Sequence, residues 1–296
     1  MQHLLHPTQH LRRHWPLLLR AAFKRAGEPQ DFWLTLPWHD CMPDTLAGYR
    51  QMFGFSPSYR PLTSYYLPIQ RAQLYCMLQP HFGFSPIGLI HTRNQMVLHA
   101  PIASTPLQLS TSVQLVQDPN RSAMICRFAS YLHPAQPHFP SEPSALTDIF
   151  LSCQSDYLLS STRQSPSRQA HTRQTTAIRV HENAQQLSAP PSSAAITDWF
   201  VAPHSGRDYA RLSGDLNPIH LYDWSARLCG LRRAIIHGMH SVAMIEAQLQ
   251  STAPSALEVH FKKPLPLGHR AHLQRVDANQ VMLWQAEQLV LTLEHC

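Results

Sequence analysis

Apolar residues fall into two patterned blocks, one on each side of a long polar stretch. In the second block Met239, Val242, Ala243, Ile245 and Leu249 recur at roughly helical spacing without an intervening proline, which predicts a helix over Gly238–Leu249. Four strand-like runs follow it: Ala256–Lys263, Arg270–Val276, Gln280–Glu287 and Gln288–Glu294. Pro264, Pro266, Gly268 and an Asp277-Ala278-Asn279 turn separate the first three. Ahead of the helix, Ile196–Val201 reads as a short strand, and Arg207–Leu212 as one or two helical turns that stop at Gly214. A helix followed by antiparallel strands implies an α+β unit whose sheet covers the helix.

The first block repeats this order. Helices are expected at Thr45–Met52 and Pro68–Leu78, then strands near Gly88–His99, Leu107–Val116, Ser122–His133 and Ile149–Leu159. One short similarity links the blocks: Tyr49-Arg-Gln-Met-Phe-Gly54 sets against Tyr209-Ala-Arg-Leu-Ser-Gly214. With the shared element order it favours an internal duplication. Between the blocks, runs such as Ser160-Ser-Thr-Arg-Gln-Ser and Ala189-Pro-Pro-Ser-Ser carry few large apolar residues and read as a linker. The expected division is a basic segment at 1–30, an N-terminal unit at 31–160, a linker at 161–193 and a C-terminal unit at 194–296.

Composition narrows the function class. A hydrophobic fraction of 44% supports real cores over 296 residues. The 24 Lys+Arg against 18 Asp+Glu give a formal charge of +6, suited to a small anionic ligand and far from a nucleic-acid footprint. Six cysteines without C-x-x-C spacing read as reduced thiols in a cytoplasmic protein. No apolar stretch reaches the ~20 residues needed to span a bilayer. The first 27 residues hold no acid but carry Arg12, Arg13, Arg20, Lys24 and Arg25, the pattern of a surface-seeking amphipathic or simply solvated helix. His3, His6, His10 and His14 lie there too, but Pro7 and Pro16 argue against the continuous helix that a metal site would need.

The chemistry concentrates in Tyr209-Ala-Arg-Leu-Ser-Gly-Asp-Leu-Asn-Pro-Ile-His220 and in Ile236-His-Gly-Met-His-Ser241. Asp215 and His220 stand five residues apart across an Asn-Pro turn. Pro218 stiffens that turn and Asn217 is at home in it. Gly238 opens the predicted helix, where backbone N–H groups lack partners and the dipole favours negative charge. His237 and His240 read most simply as polar residues at the helix start, and Ser-Gly-Asp-x-Asn-Pro alone would be an ordinary Asx turn.

Together these two windows resemble the MaoC-like, or hydratase 2, signature. The resemblance implies a double hot-dog fold, two antiparallel sheets each wrapped around a central helix. It also implies reversible hydration of a trans-2-enoyl thioester to the (R)-3-hydroxyacyl form. Asp215 and His220 would then act on one water, since the reaction needs a proton removed from the attacking water and one delivered to C2. Gly238 would provide the oxyanion contact, and Asn217, His237, Met239 and Ser241 would face substrate. No metal or redox cofactor is implied. The expected partner is an acyl-CoA or acyl carrier protein, with Arg232-Arg233 or Lys262-Lys263 as phosphate contacts unless simply solvated. Two halves in one chain would stand in for a dimer, and a homodimer of such chains remains open.

The N-terminal unit has Phe55 and Arg60 where the second has Asp215 and His220, which marks it as inactive. Two rival readings remain. A non-catalytic acyl-thioester binding subunit would keep the motif without turnover. A hot-dog thioesterase would need a carboxylate on the central helix, where Glu246 is the only acid.

Overall fold

The computed structural model describes residues 28–42, 46–86, 89–118, 123–136, 146–159, 195–249 and 253–296. The basic segment and its histidines, and the 161–193 linker, lie outside the described residues. Ten antiparallel strands form one sheet: β1 (Phe32–Pro37), β2 (Ile90–Leu98), β3 (Leu107–Gln117), β4 (Met124–Pro134), β5 (Leu151–Leu158), β6 (Ala195–Val201), β7 (Ala256–Phe261), β8 (His269–Arg275), β9 (Gln280–Gln285) and β10 (Gln288–His295). Among the described residues six α-helices accompany them: α1 (Trp38–Cys41), α2 (Leu46–Phe53), α3 (Tyr66–Met77), α4 (Ser205–Ser213), α5 (Asp223–Leu228) and α6 (Gly238–Gln248).

The sheet order β1-β3-β4-β5-β2-β7-β10-β9-β8-β6 contains a repeat. Counted within its own half, each set of five strands runs first, third, fourth, fifth, second. The halves join through their second strands, with Asn94 opposite Val259 and Met96 opposite Leu257. Each half also places a short helix (α2 or α4) and then a buried central helix (α3 or α6) between its first and second strands. The fold is the expected double hot dog, with the two sheets fused edge to edge into one. Joining the second strands removes two exposed edges, each a row of unpaired backbone groups. Arg93 Nε donates to Glu258 Oε1 across the join at 2.8 Å.

The buried faces explain why these segments become central helices. On α6, Met239, Val242, Ala243, Ile245 and Ala247 are buried along with Glu246. On α3 nearly every residue from Tyr66 to Ala72 is buried. A helix apolar or enclosed all round belongs inside a sheet rather than on its surface. Burying each large apolar side chain contributes roughly 1.5–3 kcal/mol. Tyr49 and Tyr209, the first residues of the two matched hexapeptides, are both fully buried. The hexapeptides end at Gly54 (φ 72°) and Gly214 (φ 79°), left-handed positions that favour glycine at a helix stop. Three described elements escape the hydropathy pattern: β1, a buried apolar run ending at Pro37, and the short helices α1 and α5. Among the described residues, no helix is long and apolar enough to cross a membrane.

Candidate active site

The segment between α4 and α6 folds over the start of α6 and is held there by its own polar groups. Gly214 stops α4, and the Asp215 N–H donates to Ser213 Oγ at 3.1 Å. Asp215 Oδ1 accepts the Asn217 N–H at 3.1 Å, and Asn217 Oδ1 accepts the Ile219 N–H at 3.4 Å. Pro218–His220 then form a single 3-10 turn. This chain of Asx bonds fixes the five-residue step between carboxylate and imidazole. Farther on, α5 is tied back by the Ala234 N–H donating to Asp223 Oδ1 at 2.9 Å.

His220 is buried, and its Nδ1 donates to the Ile235 carbonyl at 2.9 Å. That bond leaves the proton on Nδ1 and a lone pair on Nε2 when the ring is neutral. Burial lowers the ring's pKa, while Asp215 and the Ile235 carbonyl pull it back up. His237 caps the start of α6 and stacks on His220 with centroids 3.7 Å apart. Its Nε2 donates to the Asp215 backbone carbonyl at 3.0 Å and lies 3.9 Å from Asp215 Oδ2. Burial and the neighbouring His220 hold its pKa well below the usual value, so it is neutral near pH 7.

Asp215, His220 and Gly238 are therefore brought together: the His220 side chain is bonded to Ile235 and the Asp215 backbone carbonyl to His237, both just ahead of Gly238. The opening at the start of α6 is confined to its first turn. His240 and Ser241 N–H both bond the His237 carbonyl, and among the described residues no acceptor meets the Gly238 N–H. A Cβ on Gly238 would lie 2.6 Å from Phe261 Cε1, so any side chain there would have to displace that ring. Met239 and Ser241 are buried in α6 beyond this point. Asn217 is occupied in its turn, with its oxygen already bonded.

One donor atom each from Asp215, His220 and His237 lies within 4.8 Å of the others, a spacing metal ligands also show. The two rings are stacked at 27°, so their in-plane lone pairs lie in layers one above the other instead of converging on one point. The His237 nitrogen nearest Asp215 is moreover used as a donor to a carbonyl. The arrangement has the parts an acid–base pair would use, a carboxylate and an imidazole with a second imidazole beside them.

The sequence reading missed one contributor. Gln70, on α3 of the other half, donates from Nε2 to Asp215 Oδ2 at 2.9 Å. Nothing in the local sequence signals a contact across that chain separation. Only the inferred pairing of the halves would place α3 near the overhanging segment. Glu246, the carboxylate a thioesterase would need, is turned away from the site. It accepts from the Leu62 N–H (2.7 Å), the Thr63 N–H (3.0 Å), Thr63 Oγ1 (2.5 Å) and Tyr59 Oη (3.4 Å).

The sequence profile of the family described as "MaoC like domain" matches residues 170–289. Over that stretch the C-terminal half is similar to the MaoC-like family. Over 86 residues the chain is 36% identical to 3-hydroxyacyl-thioester dehydratase X of Mycobacterium tuberculosis, covering 28% of this chain and 30% of that protein. Over 67 residues the chain is 37% identical to fatty acid synthase subunit beta of Saccharomyces cerevisiae, covering 23% of this chain and 3% of the subunit. The matches thus span under a third of these curated relatives. The fold match is much broader than the sequence match. The crystal structure of HtdX from M. tuberculosis has a TM-score of 0.65 at 21% identity, covering 90% of this chain and 99% of that one. The MaoC-like motif and its overhanging segment are confined to one half; the double hot-dog frame extends over both.

Proposed function

We propose that this protein interconverts trans-2-enoyl and (R)-3-hydroxyacyl thioesters by adding or removing water. The observation that carries this reading is the bonding of His220 to Ile235 and of His237 to Asp215. Those two bonds set an acid–base pair at the bare N-terminus of a buried helix.

The chemistry follows from the bonds. With its thioester oxygen at the Gly238 N–H, the substrate is polarised so that C3 becomes electrophilic and negative charge gathers on oxygen. The helix dipole favours that charge. The lone pair on His220 Nε2 takes a proton from water as its oxygen attacks C3. The Asp215 carboxylate offsets the positive charge that appears on the ring. Returning a proton to C2 from the same side completes a syn addition, and the reverse sequence eliminates water. His237 stays neutral and holds Asp215 and His220 in register.

The N-terminal half then completes an internal pseudo-dimer and shapes the acyl-binding space, with units at 31–160 and 194–296. The thioester carrier is CoA or an acyl carrier protein. A reducing cytoplasm suits the buried free thiols of Cys41, Cys76, Cys126 and Cys153, two of which, Cys41 and Cys126, burial pushes up to about 12.

The purified full chain should consume the enone absorbance of crotonyl-CoA and give (R)-3-hydroxybutyryl-CoA on chiral chromatography. Release of free thiol, an (S) product, or no turnover with enoyl thioesters on either carrier would overturn the reading.

A further inference from the structure

Asp215 sits among buried polar atoms that have no hydrogen-bond partner among the described residues: Gln70 Oε1, Tyr209 Oη and His237 Nδ1. Buried polar groups are normally satisfied, and several orphans around one carboxylate mark a place built for a polar guest. They are not equivalent. His237 Nε2 points at the Asp215 carbonyl, so Nδ1, on the other edge of the ring, is directed away from it. Tyr209 Oη can donate as well as accept. Gln70 Oε1 can only accept.

The orientation of the Gln70 amide is set by its neighbour. A carboxylate oxygen accepts, so the group 2.9 Å from Asp215 Oδ2 must be the NH₂. Covalent geometry holds Oε1 about 2.2 Å from Nε2. Oε1 therefore lies within about 5 Å of Oδ2, a gap that one water oxygen bridges with two hydrogen bonds of about 2.8 Å each. Gln70 is itself buried on a central helix, so little freedom is left to the amide.

Hydration supplies the matching need. The attacking water has two protons. One leaves to the base as the C3–O bond forms, and the other stays on the oxygen as the hydroxyl proton of the product. That second O–H has to be accepted by something for the lone pair to face C3. We propose that Gln70 Oε1 is this acceptor: a residue of the half without the dyad holds the reacting water, and in the reverse direction the substrate's 3-hydroxyl, while its NH₂ fixes Asp215. The proposal rests on the hydratase reading above. It makes Gln70 a residue that touches reacting atoms.

The test compares wild type with Gln70→Leu and Gln70→Glu across pH, using crotonyl-CoA and thermal unfolding to confirm folding. Leucine removes donor and acceptor, and kcat should fall about 10- to 100-fold, the scale of a hydrogen bond to a charged or reacting group, with a smaller change in KM. Glutamate is isosteric with glutamine only when protonated, when it again has one donor and one acceptor. The activity of Gln70→Glu relative to wild type should therefore rise as pH is lowered, while that of Gln70→Leu stays flat. A Gln70→Glu activity ratio that does not change with pH overturns the proposal, as does an unchanged kcat in a folded Gln70→Leu. An inactive wild type would instead remove the hydratase reading, and the proposal with it.

Discussion

In each half a buried tyrosine on a short helix is followed by a glycine at positive φ, and from that point the halves part. After Gly214 the chain runs to Gly238 through a polar turn, two buried histidine rings and α5. After Gly54 it reaches α3 in half the distance, and Phe55 takes the place of the carboxylate. Phe55 lies near-parallel to Tyr49 and Tyr59, at 6.1 Å and 5.4 Å, filling with aromatic surface the space that the other half leaves polar. The helix starts differ in the same sense. Gly238 presents a bare N–H, whereas the turn leading into α3 has its N–H groups at Leu62 and Thr63 capped by Glu246 from the MaoC-like half. Burial raises the Glu246 pKa and its four donors hold it down. The comparison teaches that a helix start inside a hot dog attracts an anion in either case. In one half a protein carboxylate fills the position; in the other it is open to a substrate oxygen.

The sharpest way to break this comparison is to remove the dyad. Asp215→Asn and His220→Ala should each lower kcat about 10²- to 10⁴-fold, the usual scale for a positioned acid or base, with circular dichroism unchanged. Near-normal turnover in either folded variant would mean that the halves do not differ in the way described.

Gly238→Ala tests the open helix start. The new methyl meets Phe261, and a displacement approaching 1 Å at the reacting centre costs on the order of 10²-fold in kcat. Adding Phe261→Leu should recover part of the loss by clearing the ring edge. Full activity in the single variant would show that substrate oxygen does not use this N–H.

The capped helix start predicts an effect on stability rather than on rate. Glu246→Gln turns an NH₂ toward groups that are themselves donors, and should cost about 1–3 kcal/mol in urea unfolding. Turnover of the folded variant should stay close to wild type. A large loss of kcat would return Glu246 to the chemistry and revive the thioesterase alternative.

The last expected effect is pH dependence, and it is shared between the halves. Burial lowers His91 to about 4 and His240 to about 3, while unfolded histidine titrates near 6.5. Below pH 6.5 the unfolded chain binds more protons than the folded one. Stability is thus full above that value and falls as pH drops toward 4 and 3, by up to about 1.4 kcal/mol per pH unit for each ring. His91→Phe, beside Tyr157, should make the decline measured by urea midpoints shallower. An unchanged slope would show that His91 does not contribute.

The parts of the fold and site visible in the sequence are those built from local pattern. The apolar spacing of Met239, Val242 and Ile245 marks α6, turn residues delimit β7 to β9, and the Asp215–His220 step lies within one Asx-Pro turn. What stayed hidden depends on distant partners or breaks the local pattern. β1 is a short apolar run without alternation, which hydropathy alone does not separate from a buried turn. The fused sheet arises from pairing β2 with β7, and nothing in either strand names the other. Gln70 is one of several polar residues on α3, indistinguishable from Gln73 until the fold sets it against Asp215. Glu246 was visible as an acid on the central helix, but its direction was not.

The fusion of the two sheets has one more consequence. In a symmetric dimer every substitution occurs twice, so a carboxylate reaching from one subunit to cap its partner's helix start would reciprocally cap its own. Likewise, a phenylalanine replacing the aspartate would erase both reaction centres at once. Covalent linkage breaks that reciprocity. With both halves on one chain, at fixed one-to-one stoichiometry, Glu246 closes one helix start while its counterpart at Gly238 stays open.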